Sequence, residues 1–264
     1  MLLCLDVGNS QLFGGVYEGE ELKATFRRTS SVRASSDEHG TFLRSVLREN
    51  DIDPAAIDAA AVCSVVPDVP HSLRNCFLKY FGFEPFQLQP GVRTGLKIRY
   101  RNPLEVGADK IANAVGAITL FPDRNLLIVD FGTATTLCAV NREKEYLGGI
   151  ITPGIHISMA ALESRTARLP AVEIVRPPEV LGRSTVESIQ SGLYYGTLAT
   201  VRSLADLVTE QHFHEQSPLI IATGGFGRLF EAERLFDSFV PELPLIGLRR
   251  AVELSRQAPP HGKR

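Results

Sequence analysis

No apolar run in this 264-residue chain approaches the ~20 residues of a membrane span, so a transmembrane helix is excluded. The chain begins on a strand-like run without a basic segment, and no signal peptide is expected. Charge of one sign is also missing. Lys and Arg number 28 against 30 Asp and Glu, a formal charge of −2, which gives no electrostatic case for nucleic acid or an anionic membrane as partner. No helix-turn-helix or basic patch is evident. Cysteine is scarce: Cys4, Cys63, Cys76 and Cys138 stand in apolar contexts without metal spacing, as reduced core thiols of a cytoplasmic protein would. The six histidines form no HExxH pair, so no zinc site is implied. No GxxxxGK[ST] loop exists, so any nucleotide phosphates must be managed otherwise. A hydrophobic content of 44% and a mean hydropathy of +0.02 fit an ordinary globular chain.

What is present is a duplication. Leu126-Leu127-Ile128-Val129-Asp130-Phe131-Gly132-Thr133-Ala134 reads as a buried strand ending on a carboxylate, then a glycine and hydroxyl residues. Gly132 lets a ligand approach the backbone, and freed N–H groups with threonine hydroxyls suit a phosphate chain and its cations. Alone, such a stretch is more often a plain Asp–Gly turn. However, Leu2-Leu3-Cys4-Leu5-Asp6-Val7-Gly8-Asn9-Ser10 repeats it at an offset of 124, and residues 2 to 22 align without a gap. Each copy reads strand, Asp-x-Gly turn, strand, polar turn, strand. A strand after the turn argues against a Rossmann site, whose glycine-rich turn opens a helix.

The periodicity places a third strand at 22–28, a polar loop at 30–36, a helix at 37–49, a strand at 58–66, a helix at 71–81 and a short strand at 86–88. The second half repeats this order loosely. Strands are expected at 126–131, 135–140, 145–151 and 219–222, helices at 155–163 and 184–211, and a helix opening after Gly224-Gly225 through Phe230. The long helix carries Ile189, Leu193, Tyr194, Leu198, Val201 and Leu204, more apolar positions than one core face requires, so a surplus is expected to face a partner, against a wholly intrachain core. The fold class is α/β: two duplicated β-β-β-α-β-α-β units, 1–118 and 119–264, facing a central cleft. At the join, a helix over 106–118 buries Ile111, Val115 and Ile118 and carries Asp109 in its first turn, where the helix dipole favours a carboxylate. The tail from Ser255 is polar and expected to fray.

The motif series Asp6-Val7-Gly8-Asn9-Ser10, Tyr100 with Asn102-Pro103, Val106-Gly107-Ala108-Asp109-Lys110, Asp130-Phe131-Gly132-Thr133-Ala134-Thr135, Gly148-Gly149, Pro153-Gly154, Gly182-Arg183-Ser184-Thr185 and Ala222-Thr223-Gly224-Gly225 resembles the type III pantothenate kinases, of the acetate and sugar kinase, Hsp70 and actin superfamily. The resemblance implies phosphorylation of pantothenate by ATP, the first step of coenzyme A synthesis. It implies two ribonuclease-H-like domains around a central nucleotide cleft, a homodimer, Mg²⁺, and a monovalent cation, K⁺ or NH₄⁺. It implies ATP contacts by Asp6, Val7, Gly8, Asn9, Ser10, Gln11, Leu12, Phe13 and Thr133, and a monovalent cation at Asp130. Tyr100, Gly107, Ala108, Asp109, Lys110 and Thr185 would line the pantothenate pocket, with Thr185 near the neighbouring subunit and Asp109 as the base. Three positions depart from the family pattern. Leu12 and Phe13 stand where polar or basic residues are frequent, leaving backbone contacts there. Lys110 replaces the usual arginine, keeping charge but losing the bidentate fork.

The residues support this chemistry on their own terms. Phosphoryl transfer needs in-line positioning and neutralised charge. Asp6 is the candidate Mg²⁺ ligand, because Mg²⁺ takes few carboxylates plus substrate phosphates. Asp109 can accept the proton of an attacking alcohol. His156 is a rival base, though a lone histidine in an Ile-rich context is more often structural. The competing functions are a non-catalytic accessory regulator of transcription on the same fold, or another small-molecule kinase of the superfold.

Overall fold

The computed structural model describes residues 1–31, 34–67, 69–165 and 169–257. β1 (Leu2–Val7), β2 (Gln11–Glu18) and β3 (Glu21–Thr29) make an antiparallel meander. α1 (Ser36–Glu49), β4 (Ala59–Ser64), α2 (Val69–Tyr80) and β5 (Phe86–Gln87) follow, giving the sheet order β3-β2-β1-β4-β5 with β4 parallel to β1. The short strand β6 (Lys97–Ile98) precedes α3 (Ala108–Leu120). The second meander is β7 (Leu126–Phe131), β8 (Ala134–Val140) and β9 (Glu145–Pro153). After it come α4 (Ile155–Arg165), α5 (Thr185–His212), β10 (Leu219–Thr223), β11 (Ser238–Phe239) and α6 (Leu243–Gln257). The strands of this half lie in the order β11-β10-β7-β8-β9.

Local sequence explains the element ends. Ser35 caps α1: its Oγ accepts the Glu38 N–H at 3.2 Å, and the Glu38 carboxylate accepts the Ser35 N–H at 2.8 Å, a reciprocal box that satisfies two donors. Of the loop expected over 30–36, residues 32 and 33 lie outside the described residues. Ser184 caps α5, its Oγ accepting the Glu187 N–H at 3.2 Å, while the Glu187 carboxylate accepts the Arg183 N–H at 2.7 Å. The helix expected after Gly225 is instead a 3₁₀ segment, Gly227–Glu233.

The duplication is real, with one refinement. β1 and β7 correspond at an offset of 124, as do β3 and β9. β2 and β8 correspond at 123, since Asp6 pairs with Phe13 while Asp130 pairs with Thr136. The loop after β7 has lost one residue and the next hairpin has gained one, so the two changes cancel in an ungapped alignment. The β-bulges confirm this, falling between Val16 and Tyr17 in one copy and Ala139 and Val140 in the other.

Each unit has its own core. Leu3, Leu5, Val7 and Leu12 pack with Leu43 and Leu47 of α1 and Leu73 and Phe77 of α2. In the other unit Leu127, Val129 and Phe131 meet Leu193, Tyr194 and Leu198 of α5, and Phe230 stacks between Phe131 and Tyr194 at centroid distances of 5.0 and 5.1 Å. Compact units comprise Met1–Leu120 with the segment from Leu243, and Phe121–Glu242. The division at 118/119 placed α6 in the second unit, whereas α6 packs on α3, β1 and β4. Its leucines Leu245 and Leu248 and its Ala251 are fully buried. The tail expected to fray from Ser255 is helical through Gln257, and residues 258–264 lie outside the described residues.

α3 is apolar almost all round and lies buried against α6 at backbone-to-backbone distance. A Cβ on Gly247 would overlap the Ala112 carbonyl, and one on Gly116 the Leu243 carbonyl. Neither neighbour is a side chain that can swing away. Replacing Gly247 by Ala is therefore expected to cost about 1–3 kcal/mol by overpacking. Thermal denaturation should show Tm lowered by roughly 2–12 °C. An unchanged Tm would contradict this helix crossing.

Candidate active site

In the first unit the strand register builds a row of side chains across four strands. Arg27 pairs with Phe13, Phe13 with Asp6, and Asp6 with Cys63, so all four share one sheet face. The Arg27 guanidinium lies 3.7 Å from the Phe13 ring centroid, a cation–π contact. The Cys63 thiol donates to Asp6 Oδ1 at 3.1 Å. Cys63 is 1% exposed. Burial pushes its thiol well above the ordinary value, and the carboxylates of Asp6 and then Asp109 add to the rise. α3, which carries Asp109 in its first turn, packs against β4, the strand of Cys63.

The loop after β1 leaves Asn9, Ser10 and Gln11 exposed, with Gly8 half-buried. It is shaped by Gly8 N–H donating to Gln11 O at 2.9 Å, and by the Ser30 hydroxyl donating to Gly8 O at 2.6 Å. Val7, Leu12 and Phe13 are buried. Leu12 belongs to the core with α1 and α2, and Phe13 underlies Arg27. The departures from the family pattern at Leu12 and Phe13 therefore have a structural role in this chain.

Asp109 is the second residue of α3. Its Oδ1 is buried and has no hydrogen-bond partner, while Oδ2 lies 3.4 Å from Lys110 Nζ. Ala108 is buried beside it, and Tyr100 is exposed. Gly107 makes this carboxylate position available, because a Cβ there would overlap Asp109 Oδ1 and reach within 3.5 Å of Lys110 Nζ.

The second unit repeats the pattern with different neighbours. Ile151, Thr136, Asp130 and Thr223 form the corresponding row. Gly224, at φ +88°, closes over Asp130. A Cβ there would come within 2.5 Å of Asp130 Oδ1 and 2.6 Å of the Phe131 carbonyl carbon. Thr133 follows Gly132 in the turn, with intermediate burial. Gly224 and Cys63 were not among the expected site residues. Gly224 was visible in its Gly-Gly motif, but Cys63 becomes significant only once β4 is registered against β1. Thr185 begins α5 and, with Leu162, Gly182, Ser188 and Ile189, lines an open groove of about 710 Å³. His156 is exposed on α4. Among the described residues no group of three or more His, Cys, Asp or Glu comes together to hold a metal, and no helix is long and apolar enough to cross a membrane.

Two sheets, each with an aspartate at the end of its first strand and a glycine turn, define the class: the fold is that of the hexokinase- and actin-like kinases, two ribonuclease-H-like domains. A ROK hexokinase from Thermus thermophilus shares it at TM-score 0.50 and 13% identity, covering 97% of this chain and 99% of that one. A protein described as a Baf family transcriptional activator from Campylobacter jejuni shares it at TM-score 0.59 and 16% identity, over 97% and 100%. At these identities the likeness concerns the fold alone. Sequence similarity is sharper. Residues 2–207 match the family model for type III pantothenate kinase. A type III pantothenate kinase from Legionella pneumophila (strain Corby) is 53% identical over 97% of this chain and 99% of its own length. The chain belongs to the type III pantothenate kinase family.

Gly107 offers a test of the carboxylate's placement. In Gly107→Ala the clash falls on the end of a flexible side chain, so the fold should survive while the carboxylate swings aside. Kinase turnover should fall about 10²-fold, the scale of a ~1 Å misplacement, with Tm unchanged. Wild-type turnover in the folded variant would contradict the placement.

Proposed function

We propose that this chain transfers the γ-phosphoryl group of ATP to the primary alcohol of pantothenate, giving 4′-phosphopantothenate, the first step of coenzyme A biosynthesis. Family membership carries the reaction, and Asp109 carries our reading of how it proceeds. An acceptor oxygen buried without a partner costs free energy, and a donating substrate hydroxyl would relieve it. Asp109 Oδ1 is such an oxygen. We assign it as the general base that accepts the alcohol proton as the oxygen attacks phosphorus. Tyr100, Gly107, Ala108, Lys110 and Thr185 would bind pantothenate, with Lys110 supplying positive charge.

Asp6 and the loop from Val7 to Phe13 would hold the ATP phosphates, with Thr133 as a further contact. Kinases of this kind use ATP with Mg²⁺. The residues fit that ion, since Mg²⁺ is held by one or two carboxylates plus substrate phosphates and needs no protein cage. Asp6 would be its carboxylate, and the bound ion would neutralise charge on the phosphates. Asp130, at the end of β7 beneath Gly224, would hold the monovalent cation. An accessory regulator on this fold would have no use for the unpartnered Asp109 oxygen, and the curated relative is a kinase.

A cytoplasmic homodimer completes the proposal. Of the α5 residues expected to include a surplus for a partner, Ile189, Leu193, Tyr194, Leu198 and Val201 are buried in the chain's own core, and Leu204 is partly buried against it. Support for a partner comes instead from exposed Leu162, Val180, Leu181, Val186 and Leu207 around α4 and α5.

Asp109→Asn should keep its Tm and lower kcat by ~10²–10⁴ in a coupled ADP-release assay with pantothenate. Undiminished turnover would remove the base assignment. Replacing K⁺ by Na⁺ at equal ionic strength should lower wild-type activity, and Asp130→Ala should abolish the difference; equal activity of the wild type in both salts would refute the cation site. For the dimer, Asp109→Asn and Thr185→Ala subunits, once shown to exchange, should recover activity on mixing if the pocket is shared. Exchange without recovery would remove the shared pocket.

A further inference from the structure

Cys63 is an unusual neighbour for a phosphate-site carboxylate. It is not at the site's surface: it lies within β4 and is 1% exposed. The parallel register sets it directly beside Asp6, and its Sγ reaches Asp6 Oδ1 at 3.1 Å. A carboxylate oxygen accepts, so the thiol donates. Asp6 lies within β1 and is half-buried, and the strand sets the direction of its Cβ while leaving several carboxylate rotamers open. The bond from the Cys63 thiol selects among them from the side of β4.

We propose that Cys63 is a positioning residue for nucleotide binding, its thiol fixing the Asp6 carboxylate in the orientation that receives the Mg²⁺–phosphate group. The proposal rests on the assignment of Asp6 to the phosphates. It changes what Cys63 is: its sequence context marks it as an inert core thiol, whereas the register makes it part of the phosphate site. The corresponding position of the second unit also carries a short side chain with a donor, Thr223, beside Asp130. There the hydroxyl donates to the Pro241 carbonyl at 3.5 Å.

The test uses the full-length chain, with Mg·ADP binding measured by calorimetry alongside steady-state kinetics. Cys63→Ala should weaken Mg·ADP binding about tenfold, the scale of one hydrogen bond to a charged group. KM for ATP should rise, while KM for pantothenate stays unchanged. Cys63→Ser keeps a donor and should recover most of the affinity. A purely structural thiol would give no such split and no such rescue. In the wild type, the S–H infrared band that disappears in Cys63→Ser should shift when Mg·ADP is added, a readout that holds even if Cys63→Ala fails to fold. Unchanged binding in folded Cys63→Ala, equal loss in the alanine and serine variants, or a band indifferent to Mg·ADP would each overturn the proposal. Asp6→Asn distinguishes failure of the underlying reading. Undiminished Mg·ADP affinity there would show that Asp6 is not at the phosphates, and the role of Cys63 would fall with it.

Discussion

The contact on which the rest of the first unit depends is the two-sided pairing of β1. On one side it runs antiparallel to β2, and on the other parallel to β4. Because side chains alternate, this single strand sends Leu3, Leu5 and Val7 into the core with α1 and α2. Cys4 and Asp6 go to the opposite face. A slip of one residue would exchange the two sets, burying Asp6 among leucines. The hydrophobic pattern therefore fixes the register, and the register fixes which residues stand beside Asp6. Phe13 and Cys63 reach their places in this way, although they lie far apart in the chain.

α3 and α6 add the other half of that environment. α3 is lined by alanine and glycine, which lets α6 approach its backbone, and it carries Asp109 at its start. Small residues along the helix thus serve the position of the carboxylate at its end. Gly107 does the same at closer range, leaving the space that Asp109 Oδ1 occupies. The acid groups Asp6 and Asp109 come from segments about a hundred residues apart, yet both act electrostatically on one buried thiol.

Much of this was legible in the sequence. The duplicated apolar run ending in Asp-x-Gly identified both meanders and both strand-end carboxylates, because buried strands and glycine turns leave strong local signals. The helix bearing Asp109 followed from its 3.6-residue period. Other features needed the fold. The shift of β2 relative to β8 was hidden by two loop changes that cancel. α6 went unnoticed although Leu245, Leu248 and Val252 have helical spacing, and only the structure shows that it packs on β1. The apolar face of α5 read as a surplus because the sequence does not reveal how much Phe230 and β7 consume. Cys63 looked inert because its neighbour across the sheet cannot be read from its neighbours along the chain.

The central claim is that the phosphates lie on the loop after β1 while the pantothenate hydroxyl meets Asp109. A crystal structure of the chain with ADP, Mg²⁺ and pantothenate tests it most directly. The diphosphate is expected against the backbone of Gly8 to Gln11. The primary hydroxyl oxygen of pantothenate is expected within ~2.6–3.2 Å of an Asp109 carboxylate oxygen. Pantothenate bound with its hydroxyl out of reach of Asp109, or the diphosphate bound away from the β1 loop, would contradict it.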